Sequence, residues 1–229
     1  MTKKLFMLLT IGQAPRKDIA PIIESNIGPE SILVQSGALD GMSEREVVEK
    51  LFPINNSGDN SYVLTSRLTN GHSVTMLRSK LQPLLQEKIH EAENKGFRQI
   101  FLLCTGMFPG LQTSKANLLE PDVILPPIVK TIVGDKRLGV IVPLKDQLAM
   151  DSEKYESVGL HPIYDFASPY SDGDKRFEEV ALKMSERVDY ILMDCMGFNE
   201  HFRNIIRKNS KKPTILSNAL IAKVLSEFI

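Results

Sequence analysis

Apolar and polar residues alternate along this chain in blocks that predict β-strands followed by α-helices. Short apolar runs are typical of strands buried on both faces, and the stretches between them carry apolar residues at helical spacing. In the first half they predict strands over 5–11, 32–36, 62–68, 73–77 and the run ending before Cys104, with helices from Pro15, from Ser43 and over 79–95. Such alternation is typical of βα units around mainly parallel sheets.

The second half repeats much of this order. It predicts strands over 138–142, 162–166, the run ending before Cys195 and 214–216, with helices from Lys145, over 174–187 and over 218–228. We therefore predict an α/β fold of two Rossmann-like halves, related by a pseudo-two-fold axis, with a cleft between them. The first half is expected to comprise 1–115 plus 213–229, and the second 116–212.

Local signals support several of these elements. Ser43 and Glu46 form a capping box at the start of a helix, and Gly96 ends the long helix of the first half. Asn70-Gly71 predicts a tight turn between strands 62–68 and 73–77, because both residues accept positive φ angles. This hairpin is the main feature that the second half lacks.

Composition narrows the classes of partner. The chain has 28 basic and 28 acidic residues, so it has no net positive charge that would favour binding to nucleic acid or an anionic membrane. No apolar run approaches the ~18 residues that span a bilayer, and the N-terminal run breaks at Gly12, as expected of a strand rather than a signal peptide. We expect a cytoplasmic protein with no nucleic-acid or membrane partner; a homodimer is one open alternative.

The only two cysteines, Cys104 and Cys195, occupy matching places. Each follows an apolar strand and precedes a glycine by two residues, at what we interpret as a strand-to-helix turn. Ligands of open α/β sheets gather at the carboxyl ends of strands, so the pair suggests two sulfurs that face one substrate. One thiolate and one thiol would serve as base and acid. The alternatives are two buried cysteines with a packing role only, or a disulfide, which a cytoplasmic setting disfavours.

Other candidate residues lie at further strand ends. Gly12 would let a ligand approach the backbone, and Arg16 would pair with a carboxylate through its planar guanidinium; a turn with a solvent-facing arginine is the equal alternative. Ser217 and Asn218 would cap the last helix and contact substrate. The four histidines lack metal-ligand spacing, and no dinucleotide fingerprint or P-loop occurs.

Several segments together resemble the AroM family over essentially the full length of the chain. They are LTIGQAPR (9–16), LLEP (118–121), LPP (125–127), GVIVP (139–143), DCMGF (194–198) and LSNALIA (216–222). That family takes its name from an association with aromatic amino-acid metabolism, and the resemblance implies no particular reaction.

More distantly, the two cysteine-bearing strand ends resemble the aspartate/glutamate racemase superfamily. The resemblance implies cofactor-independent and metal-independent chemistry with one cysteine from each half, here Cys104 and Cys195, and a last helix that returns to the first half. Met196 departs from the threonine that commonly follows the second cysteine. The expected substrate-binding residues are Gly12, Gln13, Arg16, Thr105, Gly106, Met196, Gly197, Ser217 and Asn218.

Three hypotheses follow for the function. The leading one is a racemase-like or isomerase-like enzyme, or a related decarboxylase, that acts on a small carboxylate without a cofactor. The second is a non-catalytic protein that binds a small acid or an aromatic metabolite in the same cleft. The third, a structural partner of an aromatic-pathway enzyme, has only the family name in its favour.

Overall fold

The computed structural model describes residues 4–28, 31–52, 62–149 and 152–227. The chain divides into two units, the first formed by Met1–Pro121 with Lys223–Ile229 and the second by Asp122–Ala222. Each unit contains a parallel four-stranded sheet. The predicted α/β class with mainly parallel sheets is therefore confirmed.

The first unit is built around strand β1. Its elements are β1 (Lys4–Thr10), α1 (Ala20–Ile27), β2 (Ser31–Gly37), α2 (Glu44–Leu51), the antiparallel hairpin β3 (Val63–Arg67) and β4 (Ser73–Leu77), α3 (Arg78–Asn94), β5 (Gln99–Leu103) and β6 (Asn117–Leu119). The sheet has the order β2-β1-β5-β6. Because β1 and β5 are interior strands, nearly all of their apolar side chains are buried.

The second unit begins with a helix. Its elements are α4 (Pro121–Val133), β7 (Leu138–Val142), a 3₁₀ helix (Lys145–Ala149), α5 (Ser152–Glu156), β8 (Ile163–Phe166), α6 (Asp174–Ser185), β9 (Tyr190–Met193), α7 (Glu200–Ser210), β10 (Thr214–Leu216) and α8 (Ser217–Ser226). The sheet has the order β8-β7-β9-β10. The last residues of α8, from Lys223, belong to the first unit.

The two sheets share one topology. In each, the first strand of the unit lies inside the sheet, the second lies at one edge, and the remaining two follow on the other side, as β5-β6 and as β9-β10. Each cysteine follows the third strand of this order: Cys104 comes directly after β5, and Cys195 comes one residue, Asp194, after β9. The repeat predicted from the sequence is therefore present in the strand order of the two sheets.

Side-chain alternation divides the core of the second unit into two layers. Ile141 of β7 packs with α6 and α7, whereas Val140 and Val142 pack with α4 and Tyr155. Successive residues of a strand point to opposite faces, so a continuous apolar run is the expected sequence of a strand covered on both sides. This explains why β7 contains no charged residue.

The capping box and the hairpin are confirmed. The Ser43 side chain accepts a hydrogen bond from Glu46 N while the Glu46 carboxylate accepts from Ser43 N. The hydrogen bonds that the exposed Glu46 carboxylate accepts from the Ser43 backbone N–H and hydroxyl lower the pKa of this carboxyl to about 2. The hairpin pairs β3 with β4 around the Asn70-Gly71 turn, where φ of Gly71 is 91°.

Other predictions need correction. The helix expected from Pro15 begins only at Ala20, and the one expected from Lys145 is a 3₁₀ turn followed by the short α5. Helix α4 and strand β6 were not predicted, whereas α7 is the helix expected, without bounds, after Cys195. Helix α4 runs through Pro126 and Pro127, and Leu125 and Val129 beside them are fully buried.

The observed units also differ from the predicted boundaries. Strand β10 pairs with β9, which places 214–216 in the second sheet, and the first boundary falls at Pro121. The strand order explains the difference, because β10 is an edge strand of the second sheet, just as β6 is an edge strand of the first. Of the last predicted helix, Phe228 lies outside the described residues.

Candidate functional site

Cys104 lies at the carboxyl end of interior strand β5, and only 8% of its surface is exposed. Its Sγ accepts a hydrogen bond from the backbone N–H of Gly106 at 3.3 Å. Such a bond favours a thiolate over a thiol. The interpretation of a strand-to-helix turn is wrong here, because a loop over 104–116 leads directly to β6.

Cys195 repeats this geometry after strand β9. It too is 8% exposed, and its Sγ accepts a hydrogen bond from Gly197 N at 3.4 Å. A helix does follow, since α7 begins at Glu200 with Asn199 as its N-cap. The strand-to-helix interpretation is therefore right for Cys195.

Both glycines are required by close packing. A Cβ on Gly106 would lie 2.5 Å from Leu64 Cδ2, and one on Gly197 would lie 2.4 Å from the Tyr170 hydroxyl. Neither glycine has a positive φ angle, so space and not backbone conformation demands them. Thr105, between Cys104 and Gly106, is buried as well.

Arg16 is not solvent-facing, although it lines a cavity together with Asp18. It is 3% exposed, and its Nε and Nη2 donate to the two Asp18 carboxylate oxygens, both at 2.9 Å. Burial of Asp18 opposes ionisation, but the hydrogen bond and charge of Arg16 outweigh it and lower the pKa of that carboxyl. The planar fork predicted for a substrate carboxylate is thus engaged by a carboxylate of the chain itself.

Gly12, Gln13 and Arg16 hold the hairpin to β1. Arg16 Nη1 donates to Ser66 Oγ at 3.3 Å, and a Cβ on Gly12 would lie 2.4 Å from that same oxygen. Gln13 donates to the Leu39 and Met42 carbonyls and accepts from the Thr69 backbone N–H. The close approach predicted for a ligand at Gly12 is made by strand β3.

A cavity of about 220 Å³ adjoins this segment. It lies between the loop after β1 and the hairpin, and it is lined by basic side chains as well as Asp18. Cys104 is not among its lining residues. Strand β3 nevertheless touches both candidate groups of the first unit, since Ser66 adjoins Gly12 and Leu64 adjoins Gly106.

Ser217 and Asn218 support the cysteine loop of the second unit. Asn218 Nδ2 donates to Met196 O at 2.9 Å and to Phe198 O at 2.6 Å, and Ser217 Oγ donates to Met193 O at 2.8 Å. Met196 is buried. The structure therefore brings Cys195, Met196, Gly197, Ser217 and Asn218 together.

A buried charge cluster beside Cys195 was missed by the sequence analysis. Lys154 Nζ lies 2.7 Å from Asp194 Oδ2, and Tyr155 donates to the same oxygen at 2.8 Å. Asp122 at the start of α4 also belongs to this region: burial raises the pKa of its carboxyl, although the charge of Lys154 opposes this. No sequence signal joins these residues, because they come from three separate elements.

Solved structures of similar fold define the class. Allantoin racemase from Klebsiella pneumoniae is 12% identical, with a TM-score of 0.60, and the match covers 99% of this chain and 87% of that one. Glutamate racemase from Aquifex pyrophilus is 12% identical with a TM-score of 0.61, covering 98% and 84%. Unliganded arylmalonate decarboxylase is 10% identical with a TM-score of 0.60, covering 98% and 93%. The fold is thus that of the racemase-like α/β proteins.

The family match classifies the chain more narrowly than the fold does. The AroM protein family model matches residues 6–229, so the chain belongs to the AroM family. No curated protein sequence is significantly similar to it. Among the described residues, no helix is long and apolar enough to cross a membrane, and no three acidic, histidine or cysteine side chains are grouped to hold a metal ion.

Proposed function

We propose that this AroM-family protein is a cofactor-independent, racemase-like or isomerase-like enzyme that transfers protons at the carbon beside a small ligand's carboxylate. One observation carries the proposal: the same sulfur geometry recurs after the third strand of each sheet. Cys104 and Cys195 are equally buried, and each accepts an N–H from the residue two positions later, at 3.3 and 3.4 Å. A single buried cysteine has a packing explanation, but packing alone does not require the hydrogen bond twice.

The chemistry needs a base and an acid on opposite faces of one carbon. One cysteine, as thiolate, takes the proton, and the electron pair of the broken C–H bond delocalises into the carboxylate. The other cysteine, as thiol, returns its own proton to the opposite face. The first sulfur ends as thiol and the second as thiolate, so the next turnover runs in the reverse sense and no electrons are exchanged with a cofactor.

Carboxylate binding is assigned mainly to the cysteine loops. Gly12, Gln13 and Arg16 already bind the chain itself. We therefore place the substrate carboxylate against Thr105 and Gly106. Met196 and Gly197 are the corresponding residues after Cys195. In general, successive backbone N–H groups of a turn form a concavity that suits an anion. Ser217 and Asn218 then act by holding the second loop in shape.

The fold relatives support proton transfer without choosing the reaction. By their names, two are racemases and one is a decarboxylase, and at 10–12% identity they establish only the fold. Each of those reactions forms a carbanion next to a carboxyl or carbonyl group. The shared feature supports carbon-acid chemistry at the two thiols.

Deuterium exchange tests the proposal. A panel of enantiopure amino acids, 2-hydroxy acids and 2-aryl carboxylates is first screened by thermal shift, since a ligand at about 100 times its Kd adds about 2.7 kcal/mol of stability. The ligands found are then incubated with the protein in deuterated water. We expect deuterium at the carbon beside the carboxylate, detected by proton NMR.

The cysteine variants supply the control. Cys104→Ser and Cys195→Ser should each abolish racemisation, because a hydroxyl is a far weaker base than a thiol near neutral pH. Each variant should retain exchange of the one enantiomer whose proton faces the surviving sulfur. A ligand that binds tightly to the wild-type protein but neither exchanges, racemises nor decarboxylates would favour the binding-protein hypothesis instead.

A further inference from the structure

The most deeply buried ion pair of the second unit joins Lys154 to Asp194. Their side chains are 2% and 1% exposed, and Nζ lies 2.7 Å from Oδ2. A buried ion pair contributes little net stability, because the desolvation of both charges offsets their attraction. Its presence beside a candidate catalytic residue therefore calls for a functional explanation.

The pair fixes the residue that immediately precedes Cys195. The Asp194 backbone N–H donates to Ile141 O at 2.8 Å, which continues the β9–β7 ladder by one bond beyond the strand. Its carboxylate accepts from Lys154 and Tyr155 at one oxygen, and Ser217 Oγ lies 3.3 Å from the other. Main chain and side chain of Asp194 are thus held from three sides.

The charge of Asp194 has a consequence for the neighbouring sulfur. Asp194 and Cys195 are consecutive at a strand end, so their side chains leave it on opposite faces, with Cys195 in the layer of α6 and α7. A carboxylate one residue away still disfavours a thiolate, because a buried setting transmits charge over a longer distance than water does. The ammonium of Lys154 cancels that charge at a distance of 2.7 Å. A thiolate at Cys195 then faces a nearly neutral pair instead of a bare anion.

We propose that Lys154 is a positioning residue for Cys195 that acts through Asp194. It anchors the end of β9 and neutralises the carboxylate that would otherwise oppose the thiolate form of Cys195. The inference rests on the proposed function for the use of that thiolate. It concerns a residue from α5, an element that does not itself carry a candidate substrate contact.

Every element packed against Asp194 contributes to its surroundings. Lys154 and Tyr155 come from α5, Ser217 from α8, and Asp122 from α4. Asp122 Oδ1 is buried without a hydrogen-bond partner. Burial raises the pKa of the Asp122 carboxyl, although the charge of Lys154 opposes this, so Asp122 is a third acidic group beside the pair.

The test measures thiol reactivity and needs no substrate. Alkylation by iodoacetamide is followed over a range from about pH 6 to about pH 10, which brackets the usual cysteine titration, and both cysteines are quantified by peptide mass spectrometry. Four proteins are compared: wild type, Lys154→Met, Asp194→Asn and the double variant. Cys104 in the first unit serves as the internal control.

The single variants should shift Cys195 in opposite directions. Lys154→Met removes the cation beside Asp194 and should raise the pH midpoint of Cys195 alkylation by about one unit, a roughly tenfold loss of reactive thiolate at neutral pH. Asp194→Asn removes the carboxylate beside Lys154 and should lower the midpoint. The double variant should return close to wild type, and Cys104 should not move.

A purely structural role would give another pattern. If the substitutions only loosen the site, the Cys195 midpoint moves in the same direction in both single variants, or the double variant lies as far from wild type as the single variants do. Either result overturns the proposal. So does an unchanged Cys195 midpoint in both single variants. If Lys154→Met does not fold, the comparison of Asp194→Asn with the double variant still shows in which direction Lys154 shifts the Cys195 midpoint. The alkylation profile does not depend on turnover. A wrong proposed function therefore shows as an absence of deuterium exchange and leaves the alkylation result to be judged by itself.

Discussion

Asn218→Asp should destabilise the protein through the loop that follows Cys195. The two atoms that face Asn218 Nδ2 are both carbonyl oxygens, of Met196 at 2.9 Å and of Phe198 at 2.6 Å. The atom between them must therefore be the amide nitrogen, and an aspartate would place an oxygen there. Two buried acceptors would lose their donor, and a third oxygen would be pressed against them.

The size of the effect follows from these two bonds. Each buried polar group left without a partner costs about 1–3 kcal/mol, which gives about 2–6 kcal/mol for the pair. In a chain of this length, 1 kcal/mol corresponds to about 2–4 °C in the unfolding midpoint. We expect a loss of roughly 8–16 °C for a central cost of about 4 kcal/mol, measured by calorimetry or urea unfolding.

The pH dependence distinguishes this cause from general damage. A protonated aspartic acid can donate to one carbonyl, so folding favours protonation and raises the pKa of the introduced carboxyl. Its deficit should therefore be smaller at acidic pH and grow as the pH rises. Asn117→Asp, at an exposed position of strand β6, is the matched control and should stay within about 0.5 kcal/mol of wild type. An Asn218→Asp protein as stable as this control would refute the reasoning.

Two further predictions concern the first unit. Gly12→Ala should cost about 1–3 kcal/mol by overpacking, since its Cβ would lie 2.4 Å from Ser66 Oγ, whereas Gly173→Ala, with open space around it, should cost clearly less in the same urea titration. Because Arg16 lowers the pKa of Asp18 in the folded state, this carboxyl stabilises the fold at neutral pH and the stabilisation disappears as the pH falls through the folded pKa. Asp18→Asn should therefore be less stable than wild type near neutral pH, with a difference that shrinks in acid; a pH-independent difference would contradict this.

The sequence alone determined the repeated βα pattern and the position of both cysteines. Buried parallel strands need continuous apolar runs, so β5 and β9 and the Cys-x-Gly segments after them are visible without coordinates. The hairpin turn and the capping box are equally local, since their chemistry lies within a few residues. The resemblance to the AroM family rested on such short segments and is confirmed over residues 6–229.

Tertiary structure decided what the polar residues do. Arg16 was predicted to bind a ligand, but the fold buries it against Asp18 and brings Ser66, fifty positions away, to the same guanidinium. Lys154 meets Asp194 across forty positions, and neither local pattern nor periodicity carries information about such a pair. Apolar burial repeats with the period of a strand or helix, whereas the partner of a buried charge is fixed only when separate elements pack; the sequence therefore locates the sulfurs, and only the folded chain reveals the residues that hold them.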